Sequence, residues 1–381
     1  MIKIKSIEVF KIDLPLKEGN YSWSHGNSVN SFDSTIVKIN TNIGISGIGE
    51  VCTLGPAYLP AYAEGVRTGI KQIGKYLINK DPTDLQEINL EMDKNLKGHN
   101  YVKSPIDIAC WDITSKVMQV PLWKLLGGKF GKNVDLYRAI SQESPKAMTK
   151  KVIKYQEEGY KKFQLKVGGD PIEDIERIKL IRSKLKNNEI LVADANTGWL
   201  MHDALKVVKE TNHLNIYIEQ PCLTYEENLI VRDKCSNPFI LDENIDSISA
   251  FLRAYKDKAM DIINIKISKL GGITKSKLLR DLCVELGVGM TIEDSWGGDI
   301  ATSAIAHLAH STPSKYLFSS TDFNSYNTLS YSKGSPQRKK GEFEASNNIG
   351  LGIEINSKKI KNPVFKIYTT CIYKIFLLDL K

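Results

Sequence analysis

Apolar and polar residues alternate twice near the start of the chain, in Ile2 to Leu14 and in Ser34 to Asn40, which predicts two strands with one buried face each. The stretch between them includes Tyr21-Ser-Trp-Ser-His-Gly-Asn-Ser and reads as a mainly polar loop bearing several rings. From Ala57 to about Leu126 the period becomes helical: Ile70, Ile73, Tyr76 and Leu77 form one apolar stripe, and Ile106, Ala109, Cys110 and Ile113 another. Gly127-Gly128 then stops the last helix. Beyond Val134 short β-rich runs alternate with helical stretches. The runs are Val134 to Ile140, Phe163 to Val167, Ile190 to Ala195, Ile216 to Glu219, Phe239 to Asp242, Ile262 to Ile267, Met290 to Ile292 and Leu317 to Ser319.

These eight runs start 23 to 29 residues apart, about the length of one strand-loop-helix unit. Uninterrupted alternation of strand and helix predicts an α/β fold with a parallel sheet closed as a barrel, with an open doubly wound sheet as the alternative. No glycine fingerprint follows the first strand, and polar residues end almost every strand, which favours the barrel.

The length of 381 residues accommodates such a barrel, about 250 residues, together with an added layer. Hydrophobic content of 42% and charged content of 25% exclude a disordered or collagen-like chain. The net charge of +8 comes from lysines scattered along the sequence without an arginine-aromatic cluster, which argues for a solvated basic surface and against nucleic-acid binding. Six cysteines show no CxxC pair and no disulfide-like spacing, as expected of reduced thiols in the cytoplasm. Met1-Ile-Lys-Ile-Lys-Ser reads as a strand and not as an export signal. Ile372 to Leu378 falls far short of the roughly 18 apolar residues of a membrane span, and reads as a packed strand or a frayed tail.

A barrel places its chemistry at the C-terminal ends of its strands. The third run ends Ala193-Asp194-Ala-Asn196, the fourth Ile218-Glu219-Gln-Pro and the fifth Leu241-Asp242-Glu243. Any one of these carboxylates has an ordinary reading as a helix cap or a surface ion pair. Three on adjacent strands, about 4.8 Å apart, would repel unless a cation sat among them, and hard oxygen donors select Mg²⁺ or Mn²⁺. Lys166 ends the second run and Lys266 the sixth, one on each side of the acidic trio, and period-two alternation turns Gln164 to the same face as Lys166. The lysines read either as salt-bridge partners of those carboxylates or as two acid/base groups facing each other across a substrate, with burial beside a cation lowering their pKa.

Taken together, Ile106-Asp-Ile-Ala-Cys-Trp-Asp-Ile with Leu125-Leu-Gly-Gly, Ala193-Asp-Ala-Asn, Ile218-Glu-Gln-Pro and Lys266-Ile-Ser-Lys-Leu-Gly-Gly resemble the enolase superfamily, specifically its muconate lactonising enzyme-like members. The resemblance implies a (β/α)7β modified TIM barrel over residues 127–344. It also implies an α+β capping domain over 1–126 with substrate loops in the 20s and 50s, completed by a C-terminal segment from about 345 to 381. It implies Asp194, Glu219 and Asp242 as ligands of one Mg²⁺ per subunit, Lys166 and Lys266 as the catalytic acid/base pair, Glu243 as a supporting residue, and a homo-oligomer. The reaction it implies is removal of the proton next to a carboxylate through an enediolate. One departure is Gln164, where many relatives carry the first lysine of a Lys-x-Lys pair. Strand seven, ending Ile292-Glu-Asp294-Ser-Trp296, supplies no histidine base of the mandelate racemase kind.

Ser24-His-Gly, Ser31-Phe-Asp-Ser-Thr, Glu293-Asp-Ser-Trp-Gly-Gly-Asp and an Asp after strand eight resemble the members acting on proline derivatives, above all cis-3-hydroxy-L-proline dehydratases. That implies a small carboxylate substrate contacted by Gln164, Asn196, Asp294 and Trp296 from the barrel, by Asp322 after strand eight, and by His25 and Tyr58 from the cap, with Trp23 a further candidate. Asp294 and Asp322 are expected to neutralise a substrate ammonium. Rival expectations are a 2-epimerase or racemase of proline, its betaine or another amino acid, and a non-catalytic barrel, which would be expected to have lost a ligand or a lysine.

Overall fold

The computed structural model describes residues 1–360 and 362–368; the predicted tail element and Cys371 lie outside them. The two alternating N-terminal runs form long antiparallel strands, β1 (Ile4–Pro15) and β2 (Ser31–Thr41), with Val9 opposite Val37. A third strand, β3 (Ser46–Cys52), pairs with β2 and is absent from the alternation pattern, which Gly47 and Gly49 interrupt. Both glycines are needed for close approach. A Cβ on Gly47 would lie 2.1 Å from the Ala109 carbonyl oxygen, and one on Gly49 would lie 1.9 Å from that of Pro105.

The helical region yields α1 (Ala63–Leu77), α2 (Leu85–Asn95) and α3 (Asn100–Val117). The predicted stripes bury Ile70, Ile73, Leu77, Ile106, Ala109, Cys110 and Ile113, while Tyr76 is exposed. Gly127 and Gly128 take positive φ values of 120° and 99°, which only glycine adopts readily, and they end this region.

The eight predicted runs all form strands of one parallel sheet in sequence order: β4 (Tyr137–Ile140), β5 (Lys162–Lys166), β6 (Ile190–Asp194), β7 (Tyr217–Glu219), β8 (Phe239–Leu241), β9 (Ile262–Lys266), β10 (Gly289–Glu293) and β11 (Leu317–Ser320). A parallel bridge between Leu136 and Ser320 brings the last strand back to the first and closes the barrel. A helix follows each of the first seven strands, from Pro145–Glu157 to Asp299–His310, so the barrel is (β/α)7β. Near the chain's end, β12 (Phe365–Tyr368) returns to pair with β1. Inside the barrel Val192, Ile240 and Ile262 pack with Tyr217 and Phe318 as an apolar plug. Period-two alternation then sets Asp194, Glu219, Asp242 and Asn264 one step above that plug on the same inner face, with Lys266 one step higher still. Among the described residues no helix is long and apolar enough to cross a membrane, and the five described cysteines are unpaired and buried.

Candidate active site

Register brings the strand-end residues to a common level. Lys166 lies opposite Asp194, Asp194 opposite Glu219, and on the other side Lys266 opposite Glu293. Lys166 donates to Asp194 Oδ2, and Lys266 donates to Asp242 Oδ2 and to the Tyr58 hydroxyl. Asp242 also holds Lys269 Nζ, 2.8 Å from its Oδ1, and accepts from Tyr58 at 3.0 Å. Glu219 is served by amides: Gln164 Nε2 lies 3.1 Å from both of its oxygens, and Asn264 Nδ2 lies 2.6 Å from Oε1. Gln164, Lys166, Asn196 and Lys266 line one cleft.

Burial pushes the Glu219 carboxyl well above the ordinary range, and the neighbouring Asp194 and Asp242 push it further. The lysines differ from expectation. Burial lowers the pKa of both, yet Asp194 beside Lys166, and Asp242 with Glu293 beside Lys266, outweigh it and hold both above the usual lysine value. For the same reason no three His, Cys, Asp or Glu side chains among the described residues converge on one point, because Asp194 and Asp242 are turned towards lysines. Glu243 accepts from Asn196 Nδ2 at 3.0 Å, and burial together with Asp242 raises its pKa to about 7.

The cap reaches this cleft through two segments. Tyr21–Trp23 and Asn27–Val29 form a small hairpin fastened over the mouth by Ser22 N to Ser141 Oγ at 2.8 Å and Ser24 Oγ to the Asn196 carbonyl at 3.1 Å. Beyond β3 an antiparallel bridge from Cys52 to Trp296 starts the loop that delivers Tyr58. Tyr21, Trp23 and Tyr58 line the cleft. His25 does not, since its backbone is left-handed at φ 60° and its side chain is exposed.

Of the acidic groups expected at the far end, Asp294 lines the cleft, but its carboxylate is spent on Ser268 Oγ and on the backbone N–H groups of Ser268 and Ser295. Asp322 lies away from the cleft, fully buried, where Tyr160 donates to it at 3.3 Å. The buried Arg138 faces it electrostatically; Arg138 stands between Tyr137 and Ala139 of β4, whose side chains do line the cleft. Trp296 is in place, buried with its ring against those of Tyr21, Phe32 and Phe323 at 4.5 to 5.0 Å. Lys269, Tyr137, Tyr21 and Glu293 also belong to the site, beyond the residues expected from the sequence. Alternation along Gly289–Glu293 puts Glu293 on the inner face with Thr291, a signal available from the strand pattern.

The description Mandelate racemase / muconate lactonizing enzyme, N-terminal domain, matches residues 22–127, and the description Enolase C-terminal domain-like matches residues 147–359. The chain belongs to the mandelate racemase/muconate lactonizing enzyme family of the enolase superfamily. Within that family it is 56% identical to a cis-3-hydroxy-L-proline dehydratase from Roseibium aggregatum, over 92% of this chain and 96% of that protein. It is 29% identical to an N-succinyl-L-Arg/Lys racemase from Bacillus cereus, over 94% and 97% of the two chains. A family member from Roseovarius nubinhibens, solved in complex with magnesium, superposes with a TM-score of 0.93 at 32% identity, covering 96% of this chain and all of that one. Its magnesium belongs to that structure. The family relation agrees with the order of motifs along this chain and with the barrel-plus-cap architecture.

Proposed function

We propose that this protein is a Mg²⁺-dependent hydro-lyase that dehydrates cis-3-hydroxy-L-proline to Δ1-pyrroline-2-carboxylate. The observation that carries the proposal is the pair of buried lysines, Lys166 and Lys266, lining one cleft on strands that flank three carboxylate-bearing strands. The relative at 56% identity supports the choice of substrate.

Asp194, Glu219 and Asp242 are the residues that would hold Mg²⁺. They are hard oxygen donors, fully buried, and the Glu219 pKa is raised first by that burial and then by the negative charge of Asp194 and Asp242 beside it. In that role Asp194 and Asp242 exchange their lysine partners for the cation. When bound, Mg²⁺ supplies positive charge beside the substrate carboxylate, where negative charge grows as the α-proton leaves.

Lys166, freed from Asp194 as the neutral amine, takes the α-proton from one face of the ring. In cis-3-hydroxy-L-proline the hydroxyl and the α-proton lie on opposite faces. Lys266 therefore delivers its proton to the departing hydroxyl, which leaves as water, while the electron pair of the broken C–H bond forms the ring double bond. The enamine then tautomerises to the cyclic imine, and no nicotinamide, flavin or pyridoxal is required. Trp23 and Tyr21 from the cap exclude water from this step.

A second reading, a 2-epimerase or racemase, uses the same two lysines to return a proton to the opposite face. The racemase relative and the aromatic rings in the cleft, suited to a quaternary ammonium, favour keeping it as the rival. ¹H NMR in D₂O with Mg²⁺ separates the two readings. cis-3-Hydroxy-L-proline is expected to lose its signals to the cyclic imine. Inversion with α-proton exchange in L-proline or its betaine, without dehydration, would move the assignment to epimerase. No reaction with any of the three sinks the proline-derivative reading.

A further inference from the structure

Resting on the dehydratase reading, the arrangement around the barrel mouth says which residue meets the substrate nitrogen. Strands β6, β7 and β8 carry the carboxylates assigned to Mg²⁺, and β5 and β9 carry the lysines, so β10, β11 and β4 form the remaining side of the ring. A substrate held by its carboxylate on the first side, with the two faces of its α-carbon presented to Lys166 and Lys266, must direct its ring nitrogen and β-carbon towards that remaining side. A prolinium nitrogen is positive there and carries two N–H donors, and burying it without an anion would be costly.

Three acidic residues were candidates. Asp322 is outside the cleft, and Asp294 already accepts on both oxygens, Ser268 Oγ and Ser295 N–H on Oδ1 and the Ser268 N–H on Oδ2 at 3.2 Å. Glu293 lines the cleft and is 1% exposed, and Tyr137 donates to its Oε2. Its Oε1 has no hydrogen-bond partner, with Lys266 Nζ the nearest cation at 3.7 Å. A buried carboxylate oxygen without a protein donor, lining a cleft that receives a ring ammonium, is the acceptor such an N–H would satisfy. We infer that Glu293 is the specificity-determining residue for the substrate's secondary ammonium, accepting its N–H on Oε1 while Tyr137 fixes the carboxylate through Oε2. The site so built takes a ring amine with a free N–H and disfavours a quaternary nitrogen, which has no proton to donate.

The test is equilibrium binding to the full-length Mg²⁺-loaded protein of two ligands with the same ring and carboxylate: L-proline, and (S)-tetrahydrofuran-2-carboxylate, in which oxygen replaces the ammonium. The unsubstituted protein is expected to prefer L-proline by about tenfold or more. E293Q should lose that preference through weaker L-proline binding while its affinity for the oxygen analogue changes by less than about threefold, and E293D should recover part of it. A preference retained in E293Q overturns the assignment and leaves the dehydratase reading standing. An equal loss for both ligands also overturns it, since Glu293 would then act through Lys266 or the fold. Failure of the unsubstituted protein to bind either ligand, with no turnover of cis-3-hydroxy-L-proline, removes the substrate reading and this assignment together.

Discussion

At the junction between cap and barrel, Glu50 is fully buried and accepts from Ser34 Oγ at 2.7 Å, Gly298 N at 3.0 Å, Ala301 N at 2.9 Å and the Tyr331 hydroxyl at 2.6 Å. At the barrel mouth the equally buried Asp194 and Asp242 take long, movable lysines, and Glu293 leaves one oxygen unpaired. Burial is the same in both regions, but what surrounds the charge differs. Backbone N–H groups and fixed hydroxyls satisfy Glu50, so its carboxyl stitches β3 to the start of the helix Asp299–His310. Lysine partners and a spare oxygen leave the mouth carboxylates able to change partner, which is what a site that binds and releases ligands requires. Buried acidic residues therefore divide by how completely they are satisfied, more than by how deeply they lie.

The largest effect expected on the exchangeable side is from Lys166→Ala, which should lower the dehydration rate at least about a thousandfold, equivalent to about 4 kcal/mol of barrel-mouth chemistry. The rate of imine formation measures it. A loss under about tenfold would remove Lys166 from the role of base.

On the fixed side, Glu50→Ala should cost about 3 kcal/mol of stability, because it strands two backbone N–H groups and two hydroxyls in the interior. Urea unfolding gives the cost, and turnover per folded molecule should stay within about threefold of the parent. A turnover loss rivalling that of Lys166→Ala would break the division drawn between the two regions.

His307 extends the fixed class to a titratable base. Its Nδ1 accepts from Trp123 N at 3.1 Å, and its Nε2 faces the Leu351 carbonyl at 3.1 Å, so the neutral ring has both nitrogens in use. Burial lowers its pKa to about 4. Between about pH 6.5 and 4 the unfolded chain binds a proton that the folded one does not, so stability should fall as pH is lowered through that window, by about 3 kcal/mol. H307Q should lack that part of the decline in urea midpoints measured from pH 7 to pH 4. An unchanged pH slope would show that the ring is not held neutral.

The barrel strands were legible because their inner residues alternate apolar then polar up to the mouth, as in Val192 then Asp194, and because each is followed by a helix. β3 was hidden by two glycines whose purpose, contact with α3, is tertiary. The position of Asp194, Glu219, Asp242 and the two lysines at the barrel mouth was legible because they end strands. Asp322 was misplaced because it follows β11 beyond a register shift at Met290–Thr291, and the side to which such a residue turns is set by packing against Arg138 and Tyr160. His25 was misplaced by a left-handed backbone that no alternation pattern reveals. Alternation places Glu293 on the inner face, but its register with Lys266 and its unpaired oxygen are tertiary features that the strand pattern does not carry.

The smallest effect probes the contact between a cap loop and the exchangeable region. The Tyr58 hydroxyl accepts from Lys266 and donates to Asp242 at 3.0 Å, so one loop-borne group touches both a residue assigned to proton transfer and one assigned to the cation. Burial, followed by Asp242, raises its own pKa, so it serves as a neutral donor and not as a base. Tyr58→Phe keeps the ring that closes the cleft and removes only the bridge. The expected result is a drop of about tenfold in kcat/KM, about 1.4 kcal/mol, borne mainly by kcat, because Lys266 loses a partner that orients it while the cleft keeps its shape. A rise in KM with kcat intact would instead mean that Tyr58 only covers the substrate, and the cap would then act on binding alone.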